Sequence, residues 1–465
     1  MRRIKDILTK NWLIILIIIF GVFLRFFKLE EFATFLSDQG RDAIIIKRII
    51  TGEHFPAIGA PTSIGQVYLG PFYYYFIAPW LLLFNFNPLG LAFGVAFFSS
   101  LFLLINYLVI KKIFNEKTAL FSSFLLAFSY VLIDLSRFSW NPNLLPLFSF
   151  LTIYFLYQSL KTNKWYYYCL TGAFLSFSIQ LHYLALSLGL PISIILLIYF
   201  LKNFKNFKKN IVNYSLFIIN FSFFISPLII FDLRHNFLNY KNLISLLQTS
   251  STQKPNLFQN FLETFSYLNF YIFNYQFSKL INIILLLAII ISFASYFMRK
   301  KDNFFYLHFI FLSMLLFLSL YSGPKHPHYL GVLYPFYLLL ISQYLSFFGK
   351  SFFEKIIVFL FLLAFVFLNN QRYSFLYFKG GNQIQHAKKV AKFLKEKINN
   401  QPFNIATWPV EFTEDSYLYF LELEGLRPAD RQKVEITDQM FVLCNKEPCQ
   451  IINSPSWNIS MFGKA

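Results

Sequence analysis

Apolar residues in this chain fall in long runs divided by short polar stretches, at roughly 11–29, 71–86, 89–110, 119–135, 143–160, 165–182, 184–201, 211–231, 279–298, 303–321, 328–347 and 355–370. Most approach the ~20 residues that a helix needs to cross a bilayer, which leaves an all-α polytopic membrane protein as the expected class. The composition agrees: 57% hydrophobic, 14% charged, mean hydropathy +0.52. A formal charge of +19 raises nucleic acid as a partner. The Lys and Arg residues, however, sit in small clusters between apolar runs and form no basic helix or stacking module. Membrane lipids, not nucleic acid, are the partner this pattern implies.

Met1-Arg2-Arg3-Ile4-Lys5 followed by Asn11 to Leu29, with no small-residue cleavage site, reads as an uncleaved signal-anchor with a cytoplasmic N-terminus. Short cytoplasmic loops carry an excess of Lys and Arg. With Arg2, Arg3 and Lys5 inside, every later cluster also falls inside only if Pro71 to Phe86 dips and returns without crossing. Those clusters are Lys111-Lys112 with Lys117, Lys161 with Lys164, Lys202 to Lys209, Arg299-Lys300-Lys301, and Lys350 with Lys355. Sidedness therefore predicts about eleven spans plus one re-entrant or juxtamembrane segment. Gly70-Pro71, Pro79 and the interfacial types Tyr73, Tyr74, Tyr75 and Trp80 suit that segment.

Residues 1–371 form the expected membrane domain, with outer loops at 30–70 and 232–278. Residues 372–465 carry ten of the 22 acidic residues and no further spanning run. They predict a small extracytoplasmic α/β domain with helices at His386 to Ile398 and Asp415 to Gly425, and strands at Phe403 to Trp408 and Met440 to Asn445. In that compartment Cys444 and Cys449 either close a disulfide or remain two buried thiols.

The polar residues hardest to explain structurally fall on the outer side. The first loop holds Asp38, Arg41 and Asp42, then Tyr73 and Tyr74; the second holds Arg137 and Asn141. Further on come Asp232, Arg234 and His235, and then Lys325, His326, His328 and Tyr329. Ser37 suits the N-cap of a helix whose Ile45, Ile46, Ile49 and Ile50 make one apolar stripe, so the helix would lie on the membrane surface. Asp38 and Asp42 are then one turn apart on one face. The bland alternative is that Asp38 only favours the helix dipole and Asp42 is a solvated neighbour. Arg137 could equally snorkel to headgroups, and Lys325, His326 and His328 form either a cationic phosphate site or a solvated turn.

Outside the cytoplasm nucleotide sugars and ATP are not supplied, so an enzyme there needs a donor delivered through the membrane. A sugar on a polyprenyl phosphate fits. Its phosphate leaves without protonation but benefits from cations, while the attacking hydroxyl needs a base.

The order of these features resembles the GT-C glycosyltransferases. It runs from Asp38 through Gly70-Pro71-Phe72-Tyr73-Tyr74-Tyr75, Asn85-Phe86-Asn87-Pro88 and Lys111-Lys112-Ile113-Phe114 to Ser136-Arg137. The nearest likeness is to the family 39-like group of protein O-mannosyltransferases and lipid A aminoarabinose transferases. The resemblance implies Asp38 as catalytic residue, a polyprenyl-phosphate-linked sugar as donor, and a glycan, lipid or protein as acceptor in the cytoplasmic membrane. Gln39 stands where the group commonly has Glu, and Asn141 and Asn143 stand where it often has an acidic residue. No cofactor is assigned, and these departures count against a divalent cation. The rival readings are a ligase or polymerase using diphosphate-linked oligosaccharide, and a transporter or flippase of lipid-linked sugars, which would place ionisable groups near the midplane.

Overall fold

The computed structural model describes residues 11–62, 66–249, 256–298, 302–409, 413–430, 435–449, 451–452, 454, 457–460 and 462. Arg2, Arg3, Lys5, Arg299, Lys300, Lys301 and Glu411 lie outside the described residues. In chain order the helices are α1 (Trp12–Phe26), α2 (Leu29–Phe32), α3 (Ser37–Ile50), α4 (Phe72–Leu83), α5 (Leu89–Ile113), α6 (Glu116–Phe128), α7 (Tyr130–Ser136), α8 (Leu145–Thr162) and α9 (Trp165–Leu181). They continue with α10 (Gly189–Lys202), α11 (Phe207–Arg234), α12 (Leu238–Thr249), α13 (Leu257–Phe273), α14 (Lys279–Met298), α15 (Asp302–Leu318), α16 (Tyr334–Phe347) and α17 (Phe352–Asn370). The C-terminal region adds α18 (Ser374–Tyr377), α19 (Gln383–Ile398), β1 (Asn404–Trp408), α20 (Asp415–Leu423), β2 (Met440–Cys444) and α21 (Trp457–Ser460).

Every apolar run contains helix. Among the described residues six helices are long and apolar enough to cross a membrane, or seven if the bent pair α6 and α7 is one span. The other expected spans at α1, α9, α15 and α16 are helices of 14 to 17 residues. The 3-10 turn at Pro327–Leu330 takes up the start of the expected run at 328–347, which shortens α16. The bend between α6 and α7 is 60°. It frees helix carbonyls in an apolar setting, where each needs a partner. Arg25 of α1 donates to the Leu126 and Ala127 carbonyls, and the Tyr373 hydroxyl donates to Phe128.

Among the described residues, the segments around Lys111, Lys117, Lys161 and Lys350 share one end of the bundle. Lys117 reaches the carbonyls of Ser346 and Phe348, and Asn303 donates to Ile113. Lys161 lines the same apolar cavity, ≈370 Å³, as Ile113 and Asn303. At the opposite end stands α4, a helix of 12 residues. Its start is tied by Tyr73 Oη to Ser139 Oγ at 2.6 Å, and the turn after it by Tyr419 Oη donating to the Phe86 carbonyl at 2.5 Å.

Two helices were not read from the sequence. The stretch treated as an outer loop at 232–278 contains α12 and α13, and Phe265, Leu268 and Ile272 of α13 are fully buried. Both ends of α13 meet the Asp38 end of the bundle, through Asn260 to Ser319 and Tyr321 and through the Ile272 carbonyl to Asn369. It packs against α14, α15 and α17.

In the C-terminal region α19 buries Ile384, Ala387, Ala391, Leu394 and Ile398, the three-and-four spacing of one helix face. β1 and β2 pair in parallel, from Asn404 with Met440 to Trp408 with Cys444. Cys444 and Cys449 are disulfide-bonded. The result is a small α/β layer over the Asp38 end.

Candidate active site

Helix α3 begins where the sequence places it, but its setting differs. Ser37 is not its cap: the Ser37 hydroxyl accepts the Thr413 amide at 3.1 Å, and Gln39 Oε1 takes the Leu36 amide instead. The expected isoleucine stripe is buried unevenly. Ala43 and Ile46 are fully buried, while Ile45, Ile49 and Ile50 are partly buried. It is wedged between α4 and α20.

Gly40 makes that fit possible. A Cβ there would come within 2.2 Å of the Ser416 nitrogen and 2.4 Å of the Asp415 carbonyl carbon. The preceding loop is held as well, since the Phe35 amide donates to Gln383 Oε1 and its ring packs edge-on to Tyr419 and Phe420. Further along, Arg48 makes a two-pronged bond to Glu422, Nε to Oε1 at 2.9 Å and Nη2 to Oε2 at 2.6 Å, with Lys47 and Arg427 beside it. This fork geometry is the strong form of the charge-assisted bond.

Within this mount the two carboxylates divide. Arg41 donates Nη1 to Asp38 Oδ1 at 2.8 Å, and Nε and Nη2 to Asp42 Oδ1 at 3.0 and 2.8 Å. Tyr74 adds a fourth donor, to Asp42 Oδ1 at 3.2 Å, and Asp42 Oδ2 is left without a partner. Asp42 is wholly enclosed, whereas the Asp38 side chain is 46% exposed. Burial raises the Asp42 carboxyl above the usual range and Arg41 pulls it back only in part. Burial would lower Arg41, but Asp42, Tyr74 and Asp38 outweigh it, so the guanidinium stays charged. Only Asp38 is open to a substrate; Asp42 anchors the arginine that orients it.

A third carboxylate escaped the sequence reading. Asp415, at the start of α20, is raised by burial, opposed by its bond from Thr413 and by Arg41, and raised again by the nearby charge of Asp38. Nothing in the sequence joins it to Asp38; only the docking of the C-terminal region does.

The other candidates form two groups. Tyr73 and Tyr74 are buried rather than interfacial. From Ser139, the hydrogen-bond partner of Tyr73, the chain leads to Trp140, whose ring lies 4.5 Å from His328. His328 in turn meets Tyr329, His326 and His182. Lys325 points its ammonium at the Tyr321 carbonyl and ring, and burial lowers it to about 8, with Glu263 opposing. It therefore keeps its charge near neutral pH. The contacts thus run from Asp42 through adjacent tyrosines to the histidine turn.

The second group is tied up locally. Arg137 donates to the carbonyls of Leu24, Arg25 and Phe27 and stacks on Phe375 at 3.9 Å. Asn141 donates to Leu181. Asp232 accepts the amides of Asn239 and Tyr240, Arg234 is exposed, and His235 stacks on Phe231. Among the described residues Asp232 and Arg234 form no ion pair, and no three His, Cys, Asp or Glu side chains gather as a metal site.

Comparison with known proteins places this architecture. Residues 69–231 match the family described as dolichyl-phosphate-mannose-protein mannosyltransferase. No curated protein matches significantly. Among solved structures, ArnT from Cupriavidus metallidurans bound to undecaprenyl phosphate is similar with a TM-score of 0.61 at 12% identity, over 89% of this chain and 85% of that one. The oligosaccharyltransferase AglB from Archaeoglobus fulgidus, in complex with an inhibitory peptide and a dolichol-phosphate, gives 0.51 at 13% identity, over 89% of this chain and 64% of that one. The chain has the GT-C fold with a small C-terminal α/β domain, and the likeness read from its sequence holds. These findings support a multi-pass membrane glycosyltransferase.

Proposed function

We propose that this chain is an inverting glycosyltransferase that moves a sugar from a polyprenyl-phosphate donor to an acceptor at the outer face of the cytoplasmic membrane. The supporting observation is the unequal pair on α3, an open Asp38 held by Arg41 against an enclosed Asp42. Asp38 takes the proton of the acceptor hydroxyl as its oxygen bonds to the anomeric carbon. The bond from that carbon to the phosphate oxygen breaks on the opposite face, which inverts the centre, and the phosphate leaves with the electron pair. A positioned base of this kind typically contributes 10²–10⁴-fold.

Lys325, His326 and His328 are proposed to hold the leaving phosphate, at the far end of the contacts that begin at Asp42. Arg234 and His235 are exposed on the neighbouring loop and would add to the attraction of the anionic donor. Arg137 serves the fold of the second loop. The match to a mannosyltransferase family and the fold shared with a protein bound to undecaprenyl phosphate support a lipid monophosphate donor.

The test supplies purified full-length protein with radiolabelled sugars on polyprenyl monophosphate and on polyprenyl diphosphate, together with membrane extract as acceptor. Transfer from the monophosphate alone is expected. Transfer only from the diphosphate would favour the ligase, and vesicle translocation without covalent transfer the flippase.

A further inference from the structure

Beside the Asp38 loop, and separate from its carboxylate cluster, the Asp38 end of the bundle holds a cavity of ≈150 Å³ lined by Thr34, Tyr130, Asp134, Arg137, Arg372 and Ser374, among others. Its walls come from three parts of the chain: the loop entering α3, helix α7 with the residue after it, and the segment leaving α17 for the C-terminal domain. Thr34 is four residues before Asp38, at most ~14 Å along the chain.

The charges around this space are not neutralised as they are elsewhere. Arg372 gives Nε to Asn274 and lies over the Tyr130 ring, and the described residues supply no carboxylate within ion-pair distance of it. Asp134 accepts no hydrogen bond from a described side chain, although it feels both Arg137 and Arg372. Both side chains are open to solvent, so a cationic donor and an anionic acceptor stand ready at the cavity for whatever enters it.

Resting on the glycosyltransferase reading, we propose that this cavity binds one monosaccharide unit of the donor or acceptor. The chemistry favours a sugar over a phosphate. Arg137 already directs three of its five N–H donors to backbone carbonyls, and Asp134 would repel a phosphate dianion. A sugar hydroxyl can accept from Arg372 while donating to Asp134, and the ring's C–H face can lie against Tyr130 or Phe375. The volume is below the ~300 Å³ at which drug-sized pockets begin, which suits one ring and excludes a longer glycan.

Saturation-transfer NMR on the full-length protein in nanodiscs tests this with methyl α-mannopyranoside, methyl β-glucopyranoside and methyl α-galactopyranoside, and phosphorus line broadening tests inorganic phosphate. At least one glycoside should give a signal that falls fivefold or more in Arg372→Gln and in Asp134→Asn. Arg372 is exposed, so its variant keeps the test valid if the Asp134 variant misfolds, and Ser374→Trp should block the cavity directly. No glycoside signal from the wild type, signals unchanged in Arg372→Gln and Ser374→Trp, or phosphate broadening lost in Arg372→Gln would each overturn the proposal. Asp38→Asn should keep the glycoside signal while losing transfer, so a failure of the catalytic reading and a failure of the subsite appear in different measurements.

Discussion

Two loops at the same end of this molecule carry similar charges and treat them in opposite ways. In the loop and helix around Asp38, the charged side chains meet residues of other elements: Asp42 meets Tyr74 of α4, and Arg48 meets Glu422 of α20. In the segment from Asp232 to Tyr240, Asp232 is used by backbone amides of its own next turn and Arg234 stands in solvent. A charged motif gains chemical meaning when its charges are held by distant parts of the chain. The first loop has a mounted carboxylate, and the second has a self-capped helix end.

The sharpest contrast should come from removing one carboxylate in each loop. Asp42→Ala leaves Arg41 mostly buried with only Asp38 as partner, and breaking a buried pair costs about 3 kcal/mol or more. Asp232→Ala removes a cap worth about 1 kcal/mol. Thermal unfolding of the two variants in one detergent should show the larger drop for Asp42; equal drops would erase the distinction.

Gly40→Ala should come next. Its methyl group meets backbone at Ser416, which no rotamer change can relieve. The expected outcome is a C-terminal domain cut by protease at concentrations that leave the wild type intact, with sugar transfer lowered. Unchanged proteolysis would mean that α3 and α20 are not held together as described.

A smaller effect is expected from the Arg48–Glu422 contact, and it should depend on pH. Burial raises the Glu422 carboxyl, but the bonds and charges of Arg48, Arg427 and Lys47 outweigh it and hold it below its ordinary 4.5. A carboxylate lowered on folding stabilises the docked state above its unfolded value, and that contribution is lost as pH falls through the lowered one. Protease resistance of the wild type should therefore decline below about pH 4.5, and Glu422→Gln should show the weaker docking already at pH 7. The smallest effect belongs to Arg234→Ala, with stability within about 0.5 kcal/mol of wild type and transfer reduced mainly at low salt.

Much of the fold was readable because burial in lipid demands long apolar helices. Residues 71–86, expected from the lysine clusters to turn back, form a helix of 12 residues from Phe72 to Leu83. Helix α13 was missed because Glu263 and several Asn and Ser residues make it too polar for a span. Only its buried face, Phe265, Leu268 and Ile272, betrays it. The C-terminal helices and strands follow ordinary periodicity. Asp415 could not be linked to Asp38, nor Arg372 to Asp134, since each pair is separated by hundreds of residues and joined only by docking. Arg137 misled for the opposite reason: an arginine at a helix end reads as a ligand until three carbonyls are found around it.

The central claim is that Asp38 is the base, and the rate of sugar transfer by Asp38→Asn measures it most directly. The variant keeps the size of the side chain and its hydrogen bond from Arg41, so expression, membrane insertion and unfolding midpoint should match the wild type. Transfer from a polyprenyl-phosphate donor should fall by ~10²-fold or more, and undiminished transfer by a correctly folded Asp38→Asn protein would contradict the account.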